Sequence, residues 1–338
     1  MNFTLTVADI KRETSTAISL HFKQPALKKI KYKSGQYITL VVKINGRTYR
    51  RPYSISSVYG LDKTLNITVK AICDGVVSSY LLNNAKPGDA YEVMEPMGRF
   101  VCPDDKEVDH ITCWSAGSGI TPAWSIIRDV LHNKATTSVS LIYCNRNKES
   151  IIFGDEIQSL EKAFPDRLKV YHIFSKPVPG DDCFFEGRIT RECVSQVMNY
   201  IHANSYHYLC GPVDMMDMIH HEILAHAPMS TVHFENFHNT VDPSALQGVM
   251  DADVAVDFEG RVHNVKVPFG KSILDACLDA NIDIPYSCQT GSCTFCAATL
   301  LHGSLKTVTH QQPEKEIQQD EYLLCCSFPT QPHITIKA

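Results

Sequence analysis

The sequence predicts a multidomain protein: an antiparallel β-barrel, then a doubly wound α/β domain, then a small α+β domain of β-grasp type, along 338 residues. Three observations carry this. Up to about residue 103, short alternating segments are separated by Gly, Asn, Asp and Pro, the pattern of antiparallel strands joined by turns. From about residue 108, apolar strands alternate with helical stretches, the rhythm of a parallel sheet with crossover helices. After residue 250 come a hairpin, a capped helix and a cysteine-dense loop. The expected divisions are 1–103, 104–237, a linker at 238–250, and 251–338.

In the barrel region, 36–42 and 65–71 alternate as half-buried strands do. Lys29, Lys31 and Lys33 alternate with Ile30 and Tyr32, as the outer face of an edge strand would. The α/β region has apolar runs at 111–114, 139–144, 168–174 and 206–209. The turn formers and missing apolar period of 238–248 read as a linker. Beyond it, Val254, Val256 and Phe258 alternate up to a Glu259-Gly260 turn, 262–267 return, and Ser272-x-x-Asp275 caps a helix reaching Asn281. Two features are discounted as sites. His221 and His226 are five apart and fall off a common helix face, and Met215, Met216 and Met218 read as core.

The net charge of −5 is unevenly placed, with eleven acids against six bases in residues 251–338. That balance argues against a nucleic-acid partner and favours a docking surface seeking a basic patch. The first residues lack the basic start and apolar run of a signal peptide, and no stretch has the length to cross a bilayer. A cytoplasmic protein with no membrane partner is expected.

Of thirteen cysteines, nine are scattered and four form a pattern. Cys288, Cys293 and Cys296 give C-x4-C-x2-C, and Cys325 follows 29 positions later. This is the plant-type [2Fe–2S] spacing, in which a tight loop wraps thiolates around two irons. Gly291 supplies backbone freedom inside the loop. A zinc ribbon would instead show two C-x2-C pairs, and reduced core cysteines do not predict three within nine loop residues. Cys325 and Cys326 are adjacent, so only one can ligate. Here the chain resembles plant-type ferredoxins, whose last cysteine stands four residues before a proline; Pro329 selects Cys325.

Gly35-Gln-Tyr37, Arg51-Pro52-Tyr53-Ser54 and Gly75-Val-Val77-Ser78 resemble elements of the ferredoxin-NADP reductase superfamily. The resemblance implies that Arg51 neutralises a flavin phosphate, Tyr53 stacks on the ring, Ser54 hydrogen-bonds near N5, and Gly75 and Ser78 lie against the pyrophosphate. The segments 74–80 and 92–100 also resemble oxygenase reductases of the phenylacetyl-CoA epoxidase type. FMN, used by the phthalate dioxygenase type, is the rival cofactor, and Gly75 to Ser78 favour FAD. Gly117-Ser118-Gly119-Ile-Thr121-Pro122, between a strand and a helix, is a phosphate-binding position, although Pro122 stands where a dinucleotide fingerprint has its third glycine. Cys210-Gly211-Pro212 and Glu235-Asn-Phe237 resemble the family segments beside the nicotinamide and reaching toward the flavin. Asn145 and Arg146 begin a basic stretch with no acid before Glu149, which leans toward NADPH over NADH.

The expected function is an NAD(P)H-dependent reductase passing electrons through FAD and a [2Fe–2S] cluster to an oxygenase component, with Ser54, Cys210 and Glu235 at the hydride step. The alternative is a redox-responsive protein that binds a partner according to cluster state.

Overall fold

The computed structural model describes all residues except 1, 27–28, 104–107, 202–204, 240 and 310. The chain forms two compact units, Met1–Val42 with Tyr53–Glu235, and Lys43–Pro52 with Asn236–Ala338. The expected boundary at 103/104 and residue 240 near the start of the expected linker touch positions outside the described residues.

The barrel sheet is antiparallel and contains β1 (Asn2–Thr14), β2 (Ala17–Lys23), β3 (Tyr37–Ile44), β4 (Arg47–Ser54) and β5 (Thr64–Lys70), followed by α1 (Val76–Asn84) and β6 (Ala90–Met94), in the order β4-β3-β6-β1-β2-β5. The first half of β1 pairs with β6 and the second half with β2, with register shifts at Val7/Asp9 and Arg12/Thr14. Such bulges bend a long strand, here enough to curl the sheet. Past β4, a bridge from Ile55 to Ile67 draws the two edges together. Leu5, Leu20, Phe22, Leu40, Ile67 and Val93 fill the interior. Lys29, Lys31 and Lys33 are exposed while Ile30 and Tyr32 are buried, yet 29–33 is extended chain and not a strand. The alternation is real, but no neighbouring strand pairs with it.

The second sheet is wholly parallel. Its elements are β7 (His110–Ala116), α2 (Ile120–Asn133), β8 (Ser138–Asn145), α3 (Gly154–Ala163), β9 (Leu168–Phe174), β10 (Phe185–Glu186), α4 (Arg191–Met198), β11 (Tyr206–Cys210), α5 (Val213–His226) and β12 (Thr231–Glu235). The order β10-β9-β8-β7-β11-β12 reverses between β7 and β11, the switch point where open α/β sheets bind ligands. Trp114, Ile142 and Leu209 pack under Val194, Val197, Met216 and Ile219. His221 and His226 each turn Nδ1 back to a carbonyl of α5, Asp217 O at 2.7 Å and Glu222 O at 2.9 Å, so they serve no joint site. Within the same unit, Arg128 grips both carboxylate oxygens of Asp62, at 2.7 and 2.8 Å.

In the second unit, β13 (Ala252–Phe258), β14 (Arg261–Val267), α6 (Ile273–Asp279), β15 (Ala297–His302), β16 (Leu305–Thr307), β17 (Glu321–Leu323), β18 (Ser327–Pro329) and β19 (His333–Lys337) build the β-grasp fold. Its main sheet runs β14-β13-β19-β15-β17. Glu259 and Gly260 both have positive φ, 52° and 74°, as a two-residue hairpin turn requires. Ser272 caps α6 through the Asp275 N–H at 3.1 Å. Part of the expected linker is seated on this fold. Leu246 and Val249 pack on Phe328, and Lys306 Nζ donates to Gln247 O at 2.9 Å.

Candidate functional site

The cysteine loop is shaped by left-handed residues at Gln289 (φ 58°) and Gly291 (φ 85°). A Cβ at Gly291 would stand 2.7 Å from Thr309 Oγ1, so the second position is closed to other residues by space as well as by φ. Cys288, Cys293, Cys296 and Cys325 are all buried. The N–H groups of Thr290 and Cys293 point at Cys288 Sγ, at 3.4 and 3.3 Å. Hydrogen bonds from Cys293 and then Cys325 hold the Cys288 thiol low, and Cys325 does the same for Cys296. The donors Cys293 and Cys325 are correspondingly pushed up, each first by its bond to Cys288. Cys326 Sγ contacts the Cys325 thiol and donates to Leu323 O at 3.4 Å.

Among the described residues, no set of three or more His, Cys, Asp or Glu side chains is spaced around a common metal position. The four thiols lie in hydrogen-bonded contact with one another. Their fit to two irons therefore rests on convergence, burial and N–H groups directed at sulfur, which is the donor chemistry a thiolate cluster needs.

Strand β4 carries Arg51, Pro52, Tyr53 and Ser54 in extended conformation, with Ser54 buried. Arg51 Nη1 donates to Gln289 Oε1 at 3.0 Å and to Arg50 O at 2.8 Å. Gly75 precedes α1, whose first turn has neither a side-chain cap nor an acid; its N–H groups suit a phosphate. A Cβ at Gly75 would meet the side chains of Ser78, at Oγ, and Ile72, so a larger residue there must displace both. Val77 is buried, whereas Ile72 and Val76 are half exposed and leave an apolar rim at this helix start.

At the carboxyl edge of the parallel sheet the register places Cys210 opposite Ser115 on one side and Glu235 on the other. Three motifs distant in sequence therefore meet. Burial, and then the Glu235 carboxylate, push the Cys210 thiol well above its ordinary range, so it is a neutral group. A Cβ at Gly119 would fall 2.1 Å from Cys210 O, which explains the glycine. Gly117 takes φ 53° and its carbonyl accepts from Tyr143 Oη at 3.0 Å. Thr121 Oγ1 donates to Ser118 O at 3.0 Å, Pro122 lies in the first turn of α2, and Pro212 precedes α5 beside Gly211. Ser115 Oγ is buried without a hydrogen-bond partner among the described residues, as a group awaiting a polar ligand would be.

Sequence reasoning missed Lys70. This last residue of β5 brings Nζ to within 3.1 Å of where a Gly117 Cβ would stand. Burial, and then repulsion from Arg146, lower its ammonium pKa. A partly buried cation facing a glycine turn, with a second cation in its field, suits a polyanion. The only sequence signal was a lysine ending an otherwise uncharged strand.

Three family profiles match: "Oxidoreductase FAD-binding domain" over residues 4–102, "Oxidoreductase NAD-binding domain" over 115–221, and "2Fe-2S iron-sulfur cluster binding domain" over 256–330. The ferredoxin reductase component of 3-ketosteroid-9-alpha-monooxygenase from Rhodococcus rhodochrous is 32% identical, covering 98% of this chain and 96% of that protein. A subunit of 1,2-phenylacetyl-CoA epoxidase from Escherichia coli (strain K12) is also 32% identical, covering 95% of this chain and 93% of that protein. Phthalate dioxygenase reductase shares the fold, with a TM-score of 0.69 at 24% identity over 100% of this chain and 98% of that one. The chain belongs to the NAD(P)H-dependent, FAD- and [2Fe–2S]-containing ferredoxin reductases that deliver electrons to oxygenase components.

Proposed function

We propose that the chain takes hydride from NADPH at the carboxyl edge of its parallel sheet and passes single electrons to the oxygenase component of a bacterial system acting on a CoA thioester or steroid. The observation carrying the site assignment is the meeting of Ser115, Cys210 and Glu235 beside the Gly117 turn that Lys70 faces. When bound, FAD accepts two electrons as hydride and the cluster carries them one at a time. Ser54 orients the flavin near N5, Tyr53 stacks, Arg51 binds its phosphate, and the α1 start with Gly75, Val77 and Ser78 receives the pyrophosphate. Gly117, Ser118, Gly119, Thr121, Pro122, Gly211 and Pro212 form the nucleotide cradle. The neutral Cys210 thiol packs against the nicotinamide, and Glu235 lies next to it. Lys70 binds the nucleotide pyrophosphate, Asn145 contributes its amide, and Arg146 meets the 2′-phosphate.

Cys288, Cys293, Cys296 and Cys325 hold the irons, and the acceptor docks near the acidic ferredoxin domain. All thirteen cysteines are free thiols, in keeping with a reducing cytoplasm. No helix among the described residues is long and apolar enough to cross a membrane.

The test is an anaerobic visible spectrum during titration with NADPH and NADH in parallel. Flavin and cluster bands should bleach at NADPH concentrations about tenfold below those of NADH, a difference of about 1.4 kcal/mol. Equal response to both would overturn the coenzyme assignment, and no response to either would overturn the site.

A further inference from the structure

The β3–β4 hairpin, Lys43–Pro52, groups with the ferredoxin fold as one compact unit. Three of its arginines reach that fold. Arg50 turns its guanidinium onto both carboxylate oxygens of Asp283, the second at 3.2 Å. Its backbone N–H donates to Tyr286 Oη at 3.0 Å, and its guanidinium lies 5.3 Å from the Tyr286 ring centre. Arg47 Nη2 donates to Leu278 O at 2.9 Å, at the carbonyl end of α6, and stands 3.6 Å from Asp279, which Lys271 also binds at 2.6 Å. Arg51 reaches Gln289, the residue after the first cluster cysteine. Adjacent residues of a strand project to opposite sides, so Arg50 and Arg51 grip different parts of the segment 283–289.

We propose that Arg50, with Asp283 and Tyr286, is a positioning clamp that holds the cluster loop on the hairpin and thereby sets the rate of electron transfer from flavin to cluster. The proposal rests on the flavin assignment of Arg51 to Ser54, the residues that immediately follow Arg50 on the strand. The geometry is selective. A bidentate pair combined with a backbone bond and a ring contact fixes orientation as well as distance, and Arg50 is the better shielded partner, with its side chain 19% exposed against 55% for Asp283. The acids of this face, Asp279 and Asp283, are thus engaged by the chain's own basic groups.

The test uses the full-length protein with flavin and cluster in place. Arg50→Glu, Asp283→Lys and the double exchange are compared by stopped flow, which separates flavin reduction by nucleotide from cluster reduction by flavin. Hydrogen exchange of the Arg50 amide and of 281–289 provides a readout independent of turnover. Each single variant should keep its chemically reduced cluster signal and its flavin reduction rate, slow the flavin-to-cluster phase about tenfold or more, and lose protection at the Arg50 amide. The double exchange should restore both. Unchanged transfer and exchange in the single variants, or no recovery in the double, would overturn the clamp. Failure of the wild-type flavin to be reduced by either nucleotide would instead strike the functional assignment and leave the exchange measurement to judge the contact.

Discussion

Replacing Gly119 by alanine tests the nucleotide cradle at its tightest point. Gly119 has φ −63° and ψ −8°, a conformation alanine adopts freely, so any effect is steric and not torsional. The new Cβ would lie 2.1 Å from Cys210 O, 2.6 Å from Cys210 C and 3.2 Å from its Sγ. Ordinary contact begins at about 3.5 Å, so α2 and the Cys210 turn must part by roughly 1 Å. These are backbone atoms of a sheet end, with no rotamer to relieve the clash. Overpacking of this kind costs about 1–3 kcal/mol, and a displacement of about 1 Å at a reacting pair can slow the step about a hundredfold. We expect a melting temperature lower by several degrees, flavin reduction by NADPH slowed roughly tenfold to a hundredfold, and an unchanged dithionite-reduced cluster signal. Gly154→Ala is the control, because its nearest contact is an Ile151 side-chain carbon at 3.4 Å. If Gly119→Ala reduced its flavin within twofold of wild type and melted at the same temperature, the close approach of Gly119 to Cys210 would be refuted.

Cys325→Ser should lose the iron measured per chain, whereas Cys326→Ser should retain it, because Cys326 Sγ is bonded to Leu323 O; equal loss would reassign the fourth ligand. Lys70 acts as an anion site only while protonated, and its pKa is lowered, so nucleotide affinity should fall as pH rises through that lowered value, below 10.5. Lys70→Met should weaken binding about tenfold or more near neutrality and abolish the alkaline decline, which a titration by flavin fluorescence at several pH values would show. Burial, and then His110, lower the His207 pKa to about 3, while Trp114 Nε1 donates to His207 Nδ1 at 3.1 Å and requires the neutral ring. The unfolded chain takes up the proton near 6.5 and the folded one does not, so stability present above that pH is lost as pH falls toward 3, by as much as about 1.4 kcal/mol per unit. Urea midpoints at pH 7 and 4.5 should show a shallower acid loss in His207→Gln; an identical slope would sink the assignment.

Much of the fold was legible because its signals are local. The run expected at 168–174 is β9 without change, and those at 111–114, 139–144 and 206–209 extend by three, two and one residues, since apolar strands between turn formers are defined by their own composition. The proposed cluster cysteines were singled out for the same reason, with three of four inside one loop. Lys29, Lys31 and Lys33 show the limit of this reasoning. Alternation reports which side faces water, but a strand also needs a partner, and pairing is not written in the segment itself. The segment 238–250 shows a related limit: Leu246 and Val249 are too few to make a period, yet each is buried against Phe328, far along the chain.

What the sequence hid most completely is the work of β4. Within eight residues the strand presents Arg47 and Arg50 to the acids of the ferredoxin fold and Arg51 to Gln289, and carries Tyr53 and Ser54 of the proposed flavin motif. Arg50 and Asp283 are 233 positions apart, a separation at which no periodicity or spacing rule operates. Read locally, Arg47 and Arg50 are ordinary solvated charges on a hairpin, and Asp279 and Asp283 are part of a diffuse acidic balance. Only their pairing converts both into position. Strand β4 carries both the arginines that hold Asp283 and Gln289 and the proposed flavin residues Tyr53 and Ser54, so substitutions in 47–54 should affect flavin retention and cluster reduction as separable quantities. Loss of one without the other would locate each function on its own residues of the strand, whereas loss of both from every substitution would mean that β4 serves only as structural support.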